Sequence, residues 1–337
     1  MKQPTNYIAT WFYKESSEEA SYYPQMGRKG DSALVHSVYM QIQVPFFRTF
    51  RHYNPSAELL FFTNLQQSAL PPFLTSLFEA MQVEVVTLPY TCKPPKEWYN
   101  AWQNQFYLYD ILKYMESVIQ PEDVLLVADA DCLCRSSLSP LFEKAGAKGS
   151  ALYEFITDRT AHINGITLPE METFYEACYG EKPQPIAYYG GEFICLRGDA
   201  VADINRAYTE LWNFNLKQNA AHRPKLNEEA HVLSILAERL GLRNRIANDY
   251  VKRMWTLPQF SNVVPGDEQL AVWHLPYEKK RGLYHLYKTF CKHPDIIERN
   301  EAAFWEKAGK LTGVPCISLR KRVSDRITTI LQKLKKR

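Results

Sequence analysis

Long apolar stretches are missing from this sequence. Nowhere do roughly 18 apolar residues follow one another, which is the length that indicates a membrane-spanning helix. No apolar run follows the basic residue near the start either, so a secretory signal peptide is not expected. The sequence thus predicts a chain that neither spans a membrane nor carries a signal peptide.

Paired cysteine motifs are also absent. The chain has seven cysteines, which is an odd number, and none of them forms a CxxC pair. This argues against a disulfide framework and against a structural zinc site, because both use cysteines in regular, paired spacing. We therefore expect reduced thiols and a cytoplasmic location.

No proline- or serine-rich linker, internal repeat or low-complexity tract divides the chain. Hydrophobic residues make up 46% of the 337 positions and aromatic residues 13%, which is enough to bury a large core. We expect one α/β domain over residues 1–290, followed by a helical extension over residues 291–337.

The first half of the sequence alternates strand and helix patterns, which predicts a parallel sheet covered by helices. Strand patterns occur at Tyr7–Tyr13, Glu58–Phe62, Val83–Leu88 and Val124–Ala128, and helix patterns at Ala33–Arg51 and Trp98–Met115. The second half is looser. It predicts strands at Ala151–Ile156, Glu192–Leu196, Ala247–Trp255 and Leu270–His274, with helices at Ala200–Asn215 and Glu228–Leu240.

Two aspartates follow the fourth predicted strand, in the segment VLLVADADCLC. The residues Val124–Ala128 are all apolar without alternation, which is typical of a strand covered on both faces. Ligands of such sheets bind beyond the carboxyl ends of the strands, where Asp129 and Asp131 lie. Side chains two apart on an extended segment point the same way. The pair therefore predicts a Mn²⁺ or Mg²⁺ site, because these ions prefer carboxylate oxygens.

The strand with its Asp-Ala-Asp resembles the metal-binding motif of GT-A glycosyltransferases, in which the acids hold a divalent cation on the diphosphate of a nucleotide sugar. Retaining enzymes of family eight, glycogenin among them, add a late histidine within His-x-x-Gly-x-x-Lys. The segment AVWHLPYEKKRG is similar, although Tyr277 stands where that family has glycine. The resemblance implies His274 as a third metal ligand and Lys280 as a ligand of the diphosphate.

The second half also resembles the retaining enzymes of family six, which include the blood-group transferases. Their Tyr-Tyr segment is similar to AYYGGEFICL, and their His-Asp-Glu-Ser-His helix start is similar to NEEAHVLSIL, where Asn-Glu replaces His-Asp. Aligned on His231, the catalytic glutamate of that family falls on Glu229. A carboxylate in the first turn of a helix is also favoured by the helix dipole alone, so a plain structural role for Glu229 stays open.

Further residues complete the site that the resemblance implies. Glu192 is a second candidate catalytic carboxylate or a ligand of a sugar hydroxyl. Glycines let a backbone approach a ligand closely, although a plain turn would use them too. The implied nucleotide-sugar contacts are Thr10, Phe12, Tyr13, Ala130, Gly190, Gly191 and Lys280.

The resemblance implies a mixed-sheet GT-A fold and a metal-dependent enzyme. It would move a hexose from a nucleotide sugar, a UDP-hexose, to a glycan or lipid-linked acceptor. The metal and Lys280 would stabilise charge on the leaving diphosphate. Glu229 or Glu192 would act as a base on the acceptor, or as a nucleophile or ion-pair stabiliser in a retaining reaction, which we favour.

Three other functions are compatible with an Asp-x-Asp after a buried strand. A haloacid-dehalogenase-type phosphatase usually has this motif at its first strand, whereas here the motif is in mid-chain. A nucleotidyltransferase normally has a glycine-rich basic loop directly after the first strand, but the segment Gly27–Gly30 comes later. In a non-catalytic sugar- or nucleotide-binding module, the aspartates would bond to their own backbone with no cleft beside them.

The C-terminal segment Arg320–Arg337 is strongly basic. It holds eight Lys or Arg residues against one acid, Asp325, and its apolar residues recur at helical spacing. A cationic amphipathic helix can lie on an anionic membrane surface. We expect either peripheral attachment to the inner face of a membrane or a helix docked on its own domain. No nucleic acid partner is expected, because the basic residues are confined to this terminus.

Overall fold

The structure is a computed structural model that describes residues 3–156 and 158–334. Its strands are β1 (Asn6–Phe12), β2 (Tyr22–Tyr23), β3 (Arg28–Lys29), β4 (Glu58–Thr63), β5 (Val83–Thr87), β6 (Val124–Ala128), β7 (Cys132–Cys134), β8 (Ser150–Ile156), β9 (Tyr188–Arg197), β10 (Val251–Arg253), β11 (Thr256–Leu257), β12 (Phe260–Ser261) and β13 (Val272–His274). Its α-helices are α1 (Ala33–Tyr53), α2 (Pro72–Met81), α3 (Tyr107–Glu116), α4 (Ser139–Lys148), α5 (Leu168–Tyr179), α6 (Gly198–Ala220), α7 (Glu229–Arg239), α8 (Gly282–Lys292), α9 (Ile296–Arg299), α10 (Glu301–Thr312) and α11 (Leu319–Leu334).

The main sheet of the described chain has six strands in the order β5-β4-β1-β6-β9-β8. The first four are parallel to one another, as the β-α order predicts. Strand β9 runs antiparallel to β6, and β8 runs antiparallel to β9. The expected α/β fold with a mixed central sheet is therefore confirmed.

The chain changes its direction across the sheet at β1. From β1 it moves outward to β4 and β5, and it then returns to the other side of β1 as β6. The crevice beyond the carboxyl ends of β1 and β6 is thus a topological switch point, where open α/β sheets bind ligands. The residues that follow β1, from Tyr13, and those that follow β6, from Asp129, meet there.

Strand β6 is buried on both faces, and this burial determines where the aspartates emerge. All five of its residues are at most 3% exposed. Leu126 packs in the apolar cluster on one face of the sheet, and Leu125 packs in the cluster on the other face. A slip by one residue would exchange the two faces and carry Asp129 toward the apolar layer, so the register is strongly specified.

A second, smaller sheet brings a histidine to the aspartates. In the described chain its order is β10-β13-β7. His274, the last residue of β13, pairs with Cys132, which directly follows Asp131 in the chain. The backbone N–H of Leu275 also donates to the carbonyl of Asp131 at 3.0 Å. Residues more than 140 positions apart are in this way held side by side.

Two sequence predictions of element bounds are wrong. The helix predicted over Trp98–Met115 begins only at Tyr107, because Trp102 has a φ of 47°, in the left-handed region that a right-handed helix cannot include. The strand predicted over Ala247–Trp255 is also shorter. A 3-10 turn over Ile246–Asp249 replaces its first part, since a side chain rather than the backbone makes the bonds to β8 there.

The helices that end the described chain pack on the same core. The ring of Trp305 in α10 lies 5.0 Å from the ring of Trp273 in β13. No helix among the described residues combines the length and apolar character that a bilayer crossing requires. The division into residues 1–290 and an extension over 291–337 stays a prediction.

The first part of helix α11 docks through charged side chains. Lys321 is buried, and its Nζ lies 2.9 Å from Glu278 Oε2 and 2.9 Å from Asp325 Oδ2. Three apolar residues of this part of the helix are exposed: Leu319 at 80%, Val323 at 56% and Ile327 at 51%. A surface helix usually packs its apolar face inward. Residues 335–337 of the predicted basic tail lie outside the described residues, and so do the side chains of residues 328–334.

A pair of glycine substitutions tests the packing that holds β6. A Cβ on Gly198, at the start of α6, would lie 1.9 Å from the carbonyl oxygen of Gln120 in the turn before β6. We expect Gly198→Ala to lower the free energy of unfolding by about 1–3 kcal/mol, as overpacking does. The measurement is urea denaturation.

Gly146→Ala is the matched control, because a Cβ there would lie 3.8 Å from Val124, at ordinary contact distance. It should be neutral or stabilising by up to about 1 kcal/mol, since alanine is the better helix former. Equal effects of the two substitutions would contradict this account of the turn.

Candidate active site

Asp129, Asp131 and His274 come together at the switch point. One ligand atom from each lies within 4.8 Å of the others. His274 Nε2 is 3.8 Å from Asp129 Oδ2 and 3.5 Å from Asp131 Oδ2. Asp131 is 1% exposed, whereas 40% of the Asp129 side chain is exposed. The three residues predicted as metal ligands thus form a group that can hold a divalent cation.

The chemistry of this group suits a hard divalent ion. Asp131 Oδ1 and both ring nitrogens of His274 have no hydrogen-bond partner among the described residues. The ring nitrogens lie at least 3.5 Å from the nearest carboxylate oxygens, which is too long for a well-formed hydrogen bond. Buried polar atoms rarely lack partners. Two carboxylates and an imidazole match the ligands that Mn²⁺ accepts.

Glu192 lies behind the histidine and is held by an arginine. Arg253 donates to both Glu192 oxygens, at 2.5 and 2.6 Å. Burial raises the pKa of Glu192, but the charges of Arg253 and His274 outweigh it and hold that pKa well below its usual range. Glu192 Oε1 is 3.6 Å from His274 Nδ1, whereas Nε2 is the ring nitrogen nearest to the aspartates.

Lys279 is a charged residue of the site that the sequence analysis did not predict. Its ammonium contacts Asp131 Oδ2, and its side chain is 7% exposed. Burial raises the pKa of Asp131, but Lys279 and His274 outweigh it and hold that pKa below its usual range. Lys280, the lysine that the resemblance implies, donates to the carbonyl of Met26 at 2.9 Å. The adjacent lysines in EKKRG indicate a basic side chain near the site, but the sequence does not show which of the two points inward.

Glu229, at the first turn of α7, lines the cleft beside this group. It is 7% exposed, and its Oε2 has no hydrogen-bond partner in the described part of the chain. Burial, followed by the charge of Glu228, raises its pKa well above the usual range. Glu228 differs, because its carboxylate accepts from Tyr188 at 2.5 Å and from Asn164. The surroundings of Glu229 therefore oppose its ionisation, whereas those of Glu192 favour it.

Gly190 and Gly191 make room for the two glutamates. A Cβ on Gly191 would lie 2.2 Å from Glu229 Oε1, and a Cβ on Gly190 would lie 2.1 Å from Glu192 Oε2. The sequence analysis predicted that the space left by Gly190 and Gly191 would be filled by a ligand. In the structure, the glutamates of the chain itself occupy it.

The cleft has a volume of about 410 Å³ and a strongly aromatic wall. Of the predicted nucleotide-sugar contacts, Phe12, Tyr13, Ala130 and Gly191 line it. Thr10 is instead fully buried within β1. The cleft is also lined by aromatic residues that were not among the predicted contacts: Trp11, Tyr23, Tyr39, Trp102, Phe155, Tyr188 and Trp255.

No protein-family model and no curated protein sequence matches this chain. Solved structures do match. The bifunctional glycosyltransferase WbbM, in its apo form, aligns with a TM-score of 0.51 and 9% identity over 81% of this chain. This chain spans only 46% of WbbM. Mouse xyloside xylosyltransferase 1, also in its apo form, aligns with a TM-score of 0.45 and 10% identity over 80% of this chain and 97% of that protein.

The likeness to WbbM concerns the fold. With the mixed sheet and the C-terminal helices, it shows the GT-A fold that the Asp-Ala-Asp resemblance implied.

The proton on Glu229 can be tested through stability. A buried carboxyl with a raised pKa makes the folded state bind its proton more tightly than the unfolded state does. The folded state therefore loses stability as pH rises above the unfolded value near 4.5. We expect Glu229→Gln to gain at least about 1 kcal/mol over the native chain at pH 8, because the amide removes a buried charge penalty.

Chemical denaturation at pH 5 and pH 8 measures this difference, which should be larger at pH 8. Glu176→Gln, on the exposed face of α5, is the control and should show no pH-dependent gain. A native chain that is more stable than Glu229→Gln at pH 8 would mean an ionised, paired carboxylate.

Proposed function

We propose that this chain is a divalent-metal-dependent glycosyltransferase that moves a hexose from a nucleotide sugar to an acceptor. The observation that carries the proposal is the group of Asp129, Asp131 and His274 at the switch point of a GT-A fold. The unpartnered Asp131 Oδ1 and the adjacent cleft also oppose the reading as a non-catalytic module, which requires self-bonded aspartates and no cleft.

The proposed cofactor is Mn²⁺ or Mg²⁺, held by Asp129, Asp131 and His274. When bound, the ion supplies Lewis-acid stabilisation of the negative charge that develops on a leaving diphosphate. Glu192, held by Arg253, lies beside His274 Nδ1 as a charged neighbour of the imidazole. Lys279 adds a buried positive charge beside the same position, and this is the role that the resemblance assigned to Lys280.

Glu229 is the carboxyl we favour as the catalytic group. Glu192 is fixed by two hydrogen bonds from Arg253, whereas Glu229 Oε2 is unpartnered on the cleft wall. An unfixed carboxyl can turn toward the anomeric carbon and, once ionised, stabilise an oxocarbenium-like sugar or attack it. This choice favours retention of configuration over inversion.

The proposed donor is a UDP-hexose. Phe12, the last residue of β1, and Tyr13 line the cleft at the switch point with aromatic rings on which a nucleotide base can stack. Ala130, between the two aspartates, lines the cleft with a small side chain, which leaves space for the diphosphate. The acceptor we propose is a glycan, free or lipid-linked.

Thermal unfolding with a panel of nucleotide sugars, each with and without Mn²⁺, tests the transferase proposal. A ligand at 100 times its dissociation constant adds about 2.7 kcal/mol to stability. We expect a UDP-hexose to raise the unfolding temperature only when Mn²⁺ is present. Asp131→Ala should abolish the rise, because it removes a carboxylate from the metal group.

The control is Asp203→Ala, which removes an exposed carboxylate on α6 that does not line the cleft. It should keep the full metal-dependent rise. Absence of stabilisation by every nucleotide sugar at saturation would overturn the transferase proposal.

We also propose that the protein is cytoplasmic and peripheral on an anionic membrane. The exposed stripe of α11, defined as Leu319, Val323 and Ile327, faces away from the domain. Exposed cations flank it at three positions: Arg320, Arg322 and Arg326. An apolar stripe between cations suits the boundary between anionic head groups and acyl chains.

Sedimentation with vesicles tests this contact. The native chain should bind vesicles that contain phosphatidylglycerol and should bind less to pure phosphatidylcholine or at high salt. Replacement of the three arginines by glutamine should weaken binding by about 1 kcal/mol per cation. Replacement of the stripe by serine should weaken it as well, whereas Val264→Ser, at an exposed apolar residue elsewhere, should not. Equal binding by all variants would refute the proposal.

A further inference from the structure

The ammonium of Lys279 sits on the carboxylate that a divalent cation would need. Asp131 Oδ2 is the oxygen that Lys279 contacts, and it is also the Asp131 oxygen nearest to His274 Nε2, at 3.5 Å. The other oxygen, Oδ1, has no hydrogen-bond partner among the described residues. Lysine and metal thus share one carboxylate in a site that is closed to bulk water on the Asp131 side.

The acidic side chains around the site explain why a positively charged side chain lies beside Asp131. Three acidic side chains meet, those of Asp129, Asp131 and Glu192. Arg253 is committed to Glu192 through two hydrogen bonds. The aspartate pair is therefore left with Lys279 as its fixed positive neighbour, next to His274. A buried carboxylate without such a neighbour would be strongly destabilising.

We propose that Lys279 is a resident counter-ion that competes with the divalent cation for Asp131 and is released to the donor diphosphate when the cation binds. The inference rests on the proposed function. It concerns a step that the function does not require, because a lysine that stayed on Asp131 would be equally compatible with glycosyl transfer.

Electrostatics favours exchange over coexistence. A divalent ion and an ammonium on the same carboxylate repel each other, and in a buried site this repulsion is weakly screened. Lysine has a flexible four-carbon stem and a compact charge, so its head can move while its backbone stays fixed. A diphosphate carries the negative charge that can accept the released ammonium.

Coupling between two ligands follows from this exchange. In the native protein, metal binding has to displace the Lys279 ammonium, and this displacement weakens the affinity for the metal. A diphosphate offers the displaced ammonium a new partner. Metal and nucleotide should therefore each strengthen the binding of the other by the same factor. Without Lys279, metal should bind better alone, and the nucleotide should add less.

Calorimetric titration of Mn²⁺ with and without UDP tests the inference on the native chain and on Lys279→Met. We expect Lys279→Met to bind Mn²⁺ alone at least about 5-fold more tightly than the native chain does, which is the lower end of typical coupling factors. We also expect the factor by which UDP strengthens Mn²⁺ binding to be smaller in the variant. The unfolding temperature should rise more with Mn²⁺ in Lys279→Met than in the native chain.

The matched control is Lys280→Met, which removes the same charge one position along the chain, where the lysine donates to Met26. Its affinity for Mn²⁺ alone should equal the native value. Lys279→Gln is a second variant that keeps a polar head, so that a folding defect of Lys279→Met does not end the test. It should show the same two changes.

The outcomes separate the inference from the proposed function. If the native chain binds Mn²⁺ and UDP, but Lys279→Met and Lys279→Gln bind Mn²⁺ alone no more tightly, the exchange is overturned and the transferase proposal stands. If Lys280→Met gains affinity as much as Lys279→Met does, a general loss of positive charge explains the result and the exchange is overturned. If the native chain binds neither ligand, both proposals fall.

Discussion

The site depends on the burial of one carboxylate. Asp131 is buried just beyond β6, a strand that is covered on both faces. Its negative charge therefore has to be balanced inside the protein. The balance comes from separate parts of the chain, with His274 at the end of β13 and Lys279 just beyond it. Glu192 and Arg253 form a second ion pair that supports the histidine from behind. Alternating charges thus connect the main sheet to the small sheet.

The local part of this arrangement could be predicted from the sequence, and the long-range part could not. The apolar run of β6 and the Asp pair lie within one short segment, where side-chain alternation and burial decide the outcome. The choice between Lys279 and Lys280 depends on a 3-10 turn that begins at Pro276, and a one-residue difference in such a turn reverses which side chain points inward. The pattern of apolar residues in the sequence cannot predict that Arg253 neutralises Glu192, because that contact joins strands of two different sheets.

The two candidate catalytic carboxyls show how environment divides similar residues into different roles. Glu192 and Glu229 both lie over a glycine, and both are nearly inaccessible to solvent. Glu192 has an arginine partner that holds its pKa low, whereas burial and a neighbouring acid raise the pKa of Glu229. The sequence named Glu229 through its resemblance to the family-six enzymes, and Glu192 as a second candidate carboxylate or a ligand of a sugar hydroxyl. Their difference arises only when the fold assigns their neighbours.

The contact between Lys321 and Glu278 makes the proposed metal group depend on a helix that supplies none of its ligands. Glu278 directly precedes Lys279, and its buried carboxylate takes its ammonium partner from α11. A chain without α11 would keep every proposed metal ligand and yet hold a buried acid without its ammonium partner beside them. Loss of Lys321 would therefore disturb the turn that carries Lys279 from more than 40 positions away.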